Sequence, residues 1–253
     1  MAEHLGLRWT SMFADVPAGA FGRALTFWEQ VTGASAGDPA GDQDEFVPLV
    51  PRDGDRYLWL QRVGRDSGGW HLDLHVTDLQ AAVRWAKGRG ARIRGESADL
   101  VTLESPGGQP FCLVPESSAA RHRPAPADWA GAHRSMLDQL CMDIPADRFD
   151  AECAFWSELT GWSRDPGDLA EFVRLQVPPR FPLRILLQRL GGDDAGGIRA
   201  HADLSADERA PEVVRHAALG GQVVRVAEHW TTLRDPAGLL YCVTDRHPDA
   251  PAG

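Results

Sequence analysis

Two stretches set ionisable side chains at spacings suited to joint chemistry. "HLDLHV" occupies residues 71–76 and "HADLSA" residues 201–206. Side chains alternate across a strand, so His71, Asp73 and His75 share one face in the first, and His201, Asp203 and Ser205 in the second. An imidazole beside a carboxylate can move a proton or contribute to a divalent-metal site, so His201 or Asp203 is a candidate general base. Farther on, "TLESPGGQPFCLV" (102–114) and "TLRDPAGLLYCVT" (232–244) each end on a strand. There the alternation turns Phe111 and Leu113, or Tyr241 and Val243, toward the helices and Cys112 or Cys242 the other way. Each cysteine is thus expected on the face that carries the histidine. A neighbouring base that lowered its pKa would make it a nucleophile; without one it is a small buried hydrophobe, the commoner use.

These pairs recur because the chain repeats itself. Residues 15–18 (DVPA) match 143–146 (DIPA), and Phe21, Phe27-Trp28 and Thr32-Gly33 match Phe149, Phe155-Trp156 and Thr160-Gly161. "EFVPLV" at 45 answers "EFVRLQ" at 171, "LQR" at 60 answers "LQR" at 187, and from His71 and His201 onward the shift holds at 130 residues. Two homologous domains in tandem, over 7–116 and 136–246, are expected. The Ala-, Pro- and Ser-rich 117–135 between them reads as a connector, with Trp129 available for packing.

Each copy shows the same order of elements. A first strand (8–16; 137–144) leads to a helix with Phe21, Leu25 and Trp28, or Phe149, Cys153 and Trp156, at helical spacing, stopped at Gly33 or Gly161. Two short strands follow (46–50 and 57–63; 172–177 and 183–190), then the histidine strand, a second helix (79–89; 210–219) and a hairpin. Trp28 and Trp156 read as core. Trp9, Trp59, Trp70 and Trp230 lie on or beside strands and are candidates for a cavity wall.

Of 253 residues, 43% are hydrophobic and 25% charged, and no apolar run is long enough to span a bilayer. Nothing at the start resembles a secretion signal, so a cytoplasmic location with no membrane partner is the expectation. Four scattered cysteines suggest free thiols. A net charge of −10 argues against nucleic acid as partner, because phosphate binding needs clustered Lys and Arg. Arg8, Arg62, Arg189 and Arg234 are candidates for recognising an anionic ligand.

The "FW…TG" helix, the "HLDL…D" strand and the "P-x-G-x-x-[FY]-C-[LV]" ending resemble the vicinal oxygen chelate superfamily. The likeness is to its tandem glyoxalase-like and bleomycin-resistance-like domains of the type common in actinobacterial proteins. The resemblance implies an α+β fold in which each domain pairs two βαβββ units, the curved mixed sheet forming a ligand cup. Enzymes of the superfamily bind a divalent ion in the cup through the first strand, the strand after the midpoint and the last strand. By position these ligands fall on Ser11, His71 and Cys112, and on Gln139, His201 and Cys242. Cysteine replaces the usual glutamate, and serine is a poor ligand.

The implied function is therefore binding or sequestration of a drug-like or natural-product-like small molecule over a degenerate metal site, with no cofactor required. Ser11, Trp59, His71, Asp73, Cys112, Gln139, His201, Trp230 and Cys242 are the ligand-contacting candidates. The alternative is a metal-dependent glyoxalase-like lyase or isomerase, or an extradiol-type dioxygenase, holding zinc, iron or manganese through Gln139, His201 and Cys242. A third reading is a scaffold with filled cups. Tandem domains can pair within one chain, so a monomer is expected, with a homodimer as the other arrangement.

Overall fold

A computed structural model describes residues 5–116, 121–166, 169–192 and 196–249. The first half contains β1 (Leu7–Pro17), α1 (Phe21–Thr32), β2 (Ser35–Ala36), β3 (Phe46–Val50) and β4 (Leu58–Val63). It continues with β5 (Gly69–Val76), α2 (Leu79–Lys87), β6 (Arg92–Glu96), β7 (Val101–Glu104) and β8 (Pro110–Pro115). After β9 (Ala127–Asp128) the second half repeats the order with β10 (Arg134–Ile144), α3 (Phe149–Thr160), β11 (Arg164–Pro166), β12 (Phe172–Leu175) and β13 (Arg184–Arg189). Its second unit is β14 (Arg199–Ala206), α4 (Arg209–Ala218), β15 (Gln222–Val226), β16 (Trp230–Arg234) and β17 (Leu240–Thr244).

Each half is two βαβββ units side by side in one mixed sheet, ordered β2-β3-β4-β1-β5-β8-β7-β6 and β11-β12-β13-β10-β14-β17-β16-β15. Within a unit the first and last strands run parallel, as β1 with β4 and β5 with β8, and an antiparallel β1–β5 contact joins the units. The helices cover the leucine face of each sheet, leaving the histidine face open as a cup. The fold is thus the expected α+β arrangement of the vicinal oxygen chelate class.

Helices α1 and α3 stop where Gly33 and Gly161 enter the left-handed region at φ 68° and 76°, a conformation glycine adopts without a Cβ penalty. The repeated "PxG" marks a hairpin turn: Ser105 N donates to Gln109 O and Asp235 N to Leu239 O, both at 2.9 Å. The invariant glycine of the two copies, Gly108 or Gly238, sits at φ 103° or 96°.

Each turn receives a helix from the opposite half. Trp28 of α1 donates from Nε1 to Asp235 Oδ2 at 2.9 Å, while Glu152 of α3 accepts from Gly107 N at 2.5 Å and from Trp156 Nε1 at 3.1 Å. Trp28 also meets Tyr241 edge-on at 5.1 Å, and Trp156 meets Phe111 at 5.3 Å. Trp70 Nε1 reaches Leu240 O and Trp85 Nε1 reaches Leu159 O, both at 3.1 Å. Of the chain's nine tryptophans, Trp28, Trp70, Trp85 and Trp156 therefore sit where the halves meet, each indole finding the acceptor it needs.

The connector is more ordered than its composition suggests. Ala127–Asp128 pair with Arg134–Ser135, so β10 begins inside the predicted linker. Trp129 donates to Ser135 Oγ at 2.8 Å beneath the Arg215 guanidinium. Residues 117–120 lie outside the described part. The short strands β2, β6, β11 and β15 were not expected; β6 and β15 are almost wholly exposed, so no buried face imposed a readable alternation.

Candidate functional site: two cups with an Asp-His-Asp column

In the first half, β1, β3, β4, β5, β7 and β8 enclose a cavity of about 400 Å³. Phe13 from β1 forms its centre. Its ring stacks on His71 at 5.0 Å and on Trp59 at 5.6 Å, with Phe46 edge-on at 6.0 Å. His71 stands between two carboxylates, Nδ1 at 3.0 Å from Asp15 Oδ1 and Nε2 at 3.5 Å from Asp73 Oδ1. Burial opposes the imidazolium, but the Asp15 hydrogen bond and the two negative charges outweigh it and raise the His71 pKa. Burial likewise raises the Asp73 carboxyl, against the pull of His71.

The second half repeats the column around a cavity of about 390 Å³. His201 Nδ1 lies 3.2 Å from Asp143 Oδ2, and Nε2 lies 3.3 Å from Asp203 Oδ1. Gln139 Nε2 donates to Asp203 Oδ2 at 2.6 Å. Cys141 takes the place of Phe13, directly across from His201. Burial again disfavours the imidazolium, yet Cys141, Asp203 and Asp143 lift the His201 pKa well above its usual value.

The thiols are not activated. Burial drives Cys112 and Cys242 upward, and Cys141 up to about 12. A thiol that stays protonated near neutrality is a poor nucleophile, so the nucleophilic use of Cys112 or Cys242 is not supported.

Strand register corrects the ligand sets carried over by position. Level with Ser11 lie Asp73 and then Cys112; level with Gln139 lie Asp203 and then Cys242. The histidines sit one rung along, opposite Phe13 and Cys141. Ser11 leaves the cup lining altogether, its Oγ 2.9 Å from His75 Nε2. Asp73, Cys112, Trp59, Gln139, Asp203, Cys242 and Trp230 do line the cups.

His75 yields a stability prediction. Burial, with Arg121 nearby, lowers its folded pKa to about 4 from 6.5, against Glu116. Between those values the unfolded chain takes up a proton that the folded chain refuses. Stability is therefore complete above pH 6.5 and declines by about 3 kcal/mol as the pH falls toward the folded value. Urea unfolding of His75→Gln is expected to show a flatter acid limb over that window. An unchanged limb would place the acid sensitivity elsewhere.

Whether these residues suit a divalent ion can be judged from their donors. His71, Asp73 and Cys112 bring ligand atoms within 4.8 Å of one another, as do Cys141, His201 and Asp203. Asp73 Oδ1 and Asp203 Oδ1 are buried and face the imidazole Nε2 atoms at 3.5 and 3.3 Å. Asp15 and Asp143 hold the other ring nitrogen, the orientation a metal-binding histidine needs. The residues fit an ion that accepts nitrogen, oxygen and sulfur. In the second cup the thiol of this cluster is Cys141 rather than the expected Cys242.

Other candidates divide. Trp9 and Trp70 are buried in the core rather than lining the cups, while Trp28 and Trp156 are core as expected. Arg8 is exposed, Arg62 lies over Phe21, Arg189 pairs with Asp150, and Arg234 donates to Gly238 O, so none lines a cup. Arg174 and Arg246 line the second cup, and Arg65 the first. Asp15, Asp143, Phe13 and Cys141 are positions of the candidate site that the strand patterns did not single out. The only signal for the two aspartates was the repeated "DVPA" and "DIPA".

The fold and its cups define a vicinal oxygen chelate protein. The chain belongs to the glyoxalase-like domain family, whose profile matches residues 11–114 and 139–244. No curated protein matches the sequence. Among solved structures it is similar to 2,2',3-trihydroxybiphenyl 1,2-dioxygenase from Sphingomonas wittichii, at TM-score 0.62 and 15% identity over 94% of this chain and 90% of that one. It is similar also to the 2,3-dioxygenase LapB from Pseudomonas sp. KL28, at TM-score 0.61 and 16% identity over 96% and 93%. Against a xylose isomerase-like TIM barrel/4-hydroxyphenylpyruvate dioxygenase fusion protein the TM-score is 0.58 at 15% identity; 95% of this chain covers 48% of that chain, about half its length. At these identities the likeness concerns the fold. Among the described residues no helix is long and apolar enough to cross a membrane.

Proposed function

We propose that both cups bind small organic molecules whose apolar body rests on the aromatic or aliphatic wall and whose polar end meets the Asp-His-Asp column. The carrying observation is the division of the first cup, with Phe13, Phe46 and Trp59 on one side and His71 with Asp73 on the other. Cavities of about 300–1,000 Å³ with apolar walls and few polar groups suit such ligands. The imidazole, its pKa raised by Asp15 and Asp73, presents its polar edge to the ligand beside the two carboxylates that hold the ring in place. Sequestration needs nothing more.

The buried Asp73 Oδ1 and Asp203 Oδ1 favour a second reading, metal-dependent chemistry of the lyase, isomerase or dioxygenase kind. His71, Asp73 and Cys112 would hold an ion in the first cup, and Cys141, His201 and Asp203 in the second. A bound ion would polarise ligand oxygens as a Lewis acid. Around it Asp143 and Asp15 fix the imidazoles, and the buried floor excludes water. Binding would displace protons from His201 and Cys141, so uptake should strengthen as pH rises.

Saturable binding of N-phenyl-1-naphthylamine, followed by energy transfer from tryptophan, tests the first reading. Transfer should weaken in Trp59→Phe and in Trp230→Phe, each reporting its own cup. No saturable binding would remove the ligand-binding reading. Zinc, iron or manganese content measured on wild type, His71→Ala and His201→Ala tests the second; content unchanged in both variants would remove it.

A further inference from the structure

We propose that the second cup selects ligands carrying an anionic group, seated against Arg174 and Arg246, a pair the first cup lacks: its one lining arginine, Arg65, is exposed and held by Asp15 at 2.7 Å. This inference rests on the reading of the cups as ligand sites and names the ligand class of one of them.

The register of β10 against β14 shifts between Leu137 and Gln139, leaving Asp138 as the extra residue of a bulge. Bulges re-aim side chains, and this one buries Asp138 completely. Guanidinium groups gather on it. Arg246 donates twice, at 2.8 Å to each oxygen; Arg184 Nε lies at 3.4 Å and Arg123 at 3.9 Å. Arg246 and Arg123 alone already outnumber the carboxylate. Burial first, then Arg246 and, less, Arg123 and Arg174, lowers the Arg184 pKa to about 10 against the pull of Asp138.

Arg246 and Arg174 border the cavity itself, on the side of Gln139. Arg174 also pairs with Asp165 at 3.3 Å, and Asp203 acts on Arg246 across the cup. Asp138 tethers the Arg246 fork from behind, so its orientation is set before a ligand arrives. Planar guanidinium groups pair well with carboxylate and sulfonate oxygens.

The internal repeat supplies a comparison within one molecule. By the matches above, Arg174, Arg184 and Arg246 correspond to Pro48, Tyr57 and Glu116, and Asp138 corresponds to Thr10, a buried but uncharged residue. Tyr57 spends its hydroxyl on Leu137 O, and Glu116 binds Arg121. The guanidinium cluster around Asp138 is thus particular to the second copy, the first cup having Arg65 alone, in a chain whose net charge is −10.

Two fluorescent probes with one aromatic frame provide the test: anionic 8-anilinonaphthalene-1-sulfonate and uncharged N-phenyl-1-naphthylamine. Arg246→Gln and Arg174→Gln are each expected to weaken the sulfonate by about tenfold at low salt, the scale of a lost charged hydrogen bond. Binding of the uncharged probe should not change. Arg174→Gln leaves the Asp138 group intact, which guards against a folding defect in Arg246→Gln. Sulfonate binding unaffected by both changes, or loss of both probes together in Arg174→Gln, would overturn the anionic subsite while leaving the cup as a ligand site. If neither probe binds the wild type, the cup reading falls and this proposal falls with it.

Discussion

Glu212→Ala is expected to lower unfolding stability by about 3–5 kcal/mol, the usual result of leaving a buried ion pair half-made. At about 2–4 °C per kcal/mol for a chain of this size, Tm should fall by roughly 10 °C. Glu212 on α4 is fully buried and collects ligands from across the molecule. His133 Nε2 lies at 2.7 Å, Ser135 Oγ donates at 2.5 Å, Arg215 donates at 2.7 Å, and His216 Nε2 lies at 3.1 Å. Arg215 carries the network into the other half by donating to Gln30 O and Val31 O at the end of α1, both at 2.8 Å. Burial alone would raise the Glu212 carboxyl, but Arg215, His216 and Ser135 hold it far below the usual range.

A depressed folded pKa contributes stability that is complete above the unfolded value of 4.5 and lost as pH falls further. The gap between wild type and Glu212→Gln should therefore be widest above that pH and narrow below it. Thermal melts at two pH values check both statements. A Tm for Glu212→Ala within experimental error of wild type would mean that the network is incidental to stability.

Trp28→Ala carries the second large effect, about 3–5 kcal/mol for removing a fully buried indole. Trp28 is 1% exposed and meets Phe27, Trp70 and Tyr241 edge-on. Its loss opens a cavity at the junction of the halves and frees Asp235, whose other oxygen accepts from Ala237 N and Leu239 N. Burial raises the Asp235 carboxyl, partly offset by the Trp28 hydrogen bond. A cycle with Asp235→Asn measured by urea unfolding should show coupling of about 0.5–3 kcal/mol, as neighbours sharing a hydrogen bond do. Strict additivity would show that the helix and the opposite hairpin are held by packing alone.

Much of this architecture was legible in one sequence because it rests on local periods and on repetition. Alternation placed His71, Asp73 and Cys112 on one face, helical spacing put Trp28 and Trp156 inside, and the duplicated "PxG" marked two turns that need a left-handed glycine. The column of Asp15, His71 and Asp73 was only half visible. Asp73 lies two residues from His71 on its own strand, whereas Asp15 comes from β1 and reaches the imidazole through cross-strand pairing.

The sequence by itself determined the tandem duplication, the α+β order of elements and the face that each histidine strand turns to the cup. Those properties depend on side-chain period within single segments. Only tertiary structure decided that Ser11 turns to His75, that Cys141 as well as Cys242 meets His201 and Asp203, and that Arg174 and Arg246 border the second cavity. Each of these turns on which residues of different strands lie level. One-residue bulges at Arg8 and Asp138 shift that relation along the first strand of each half, and neither alternation nor helical spacing registers them.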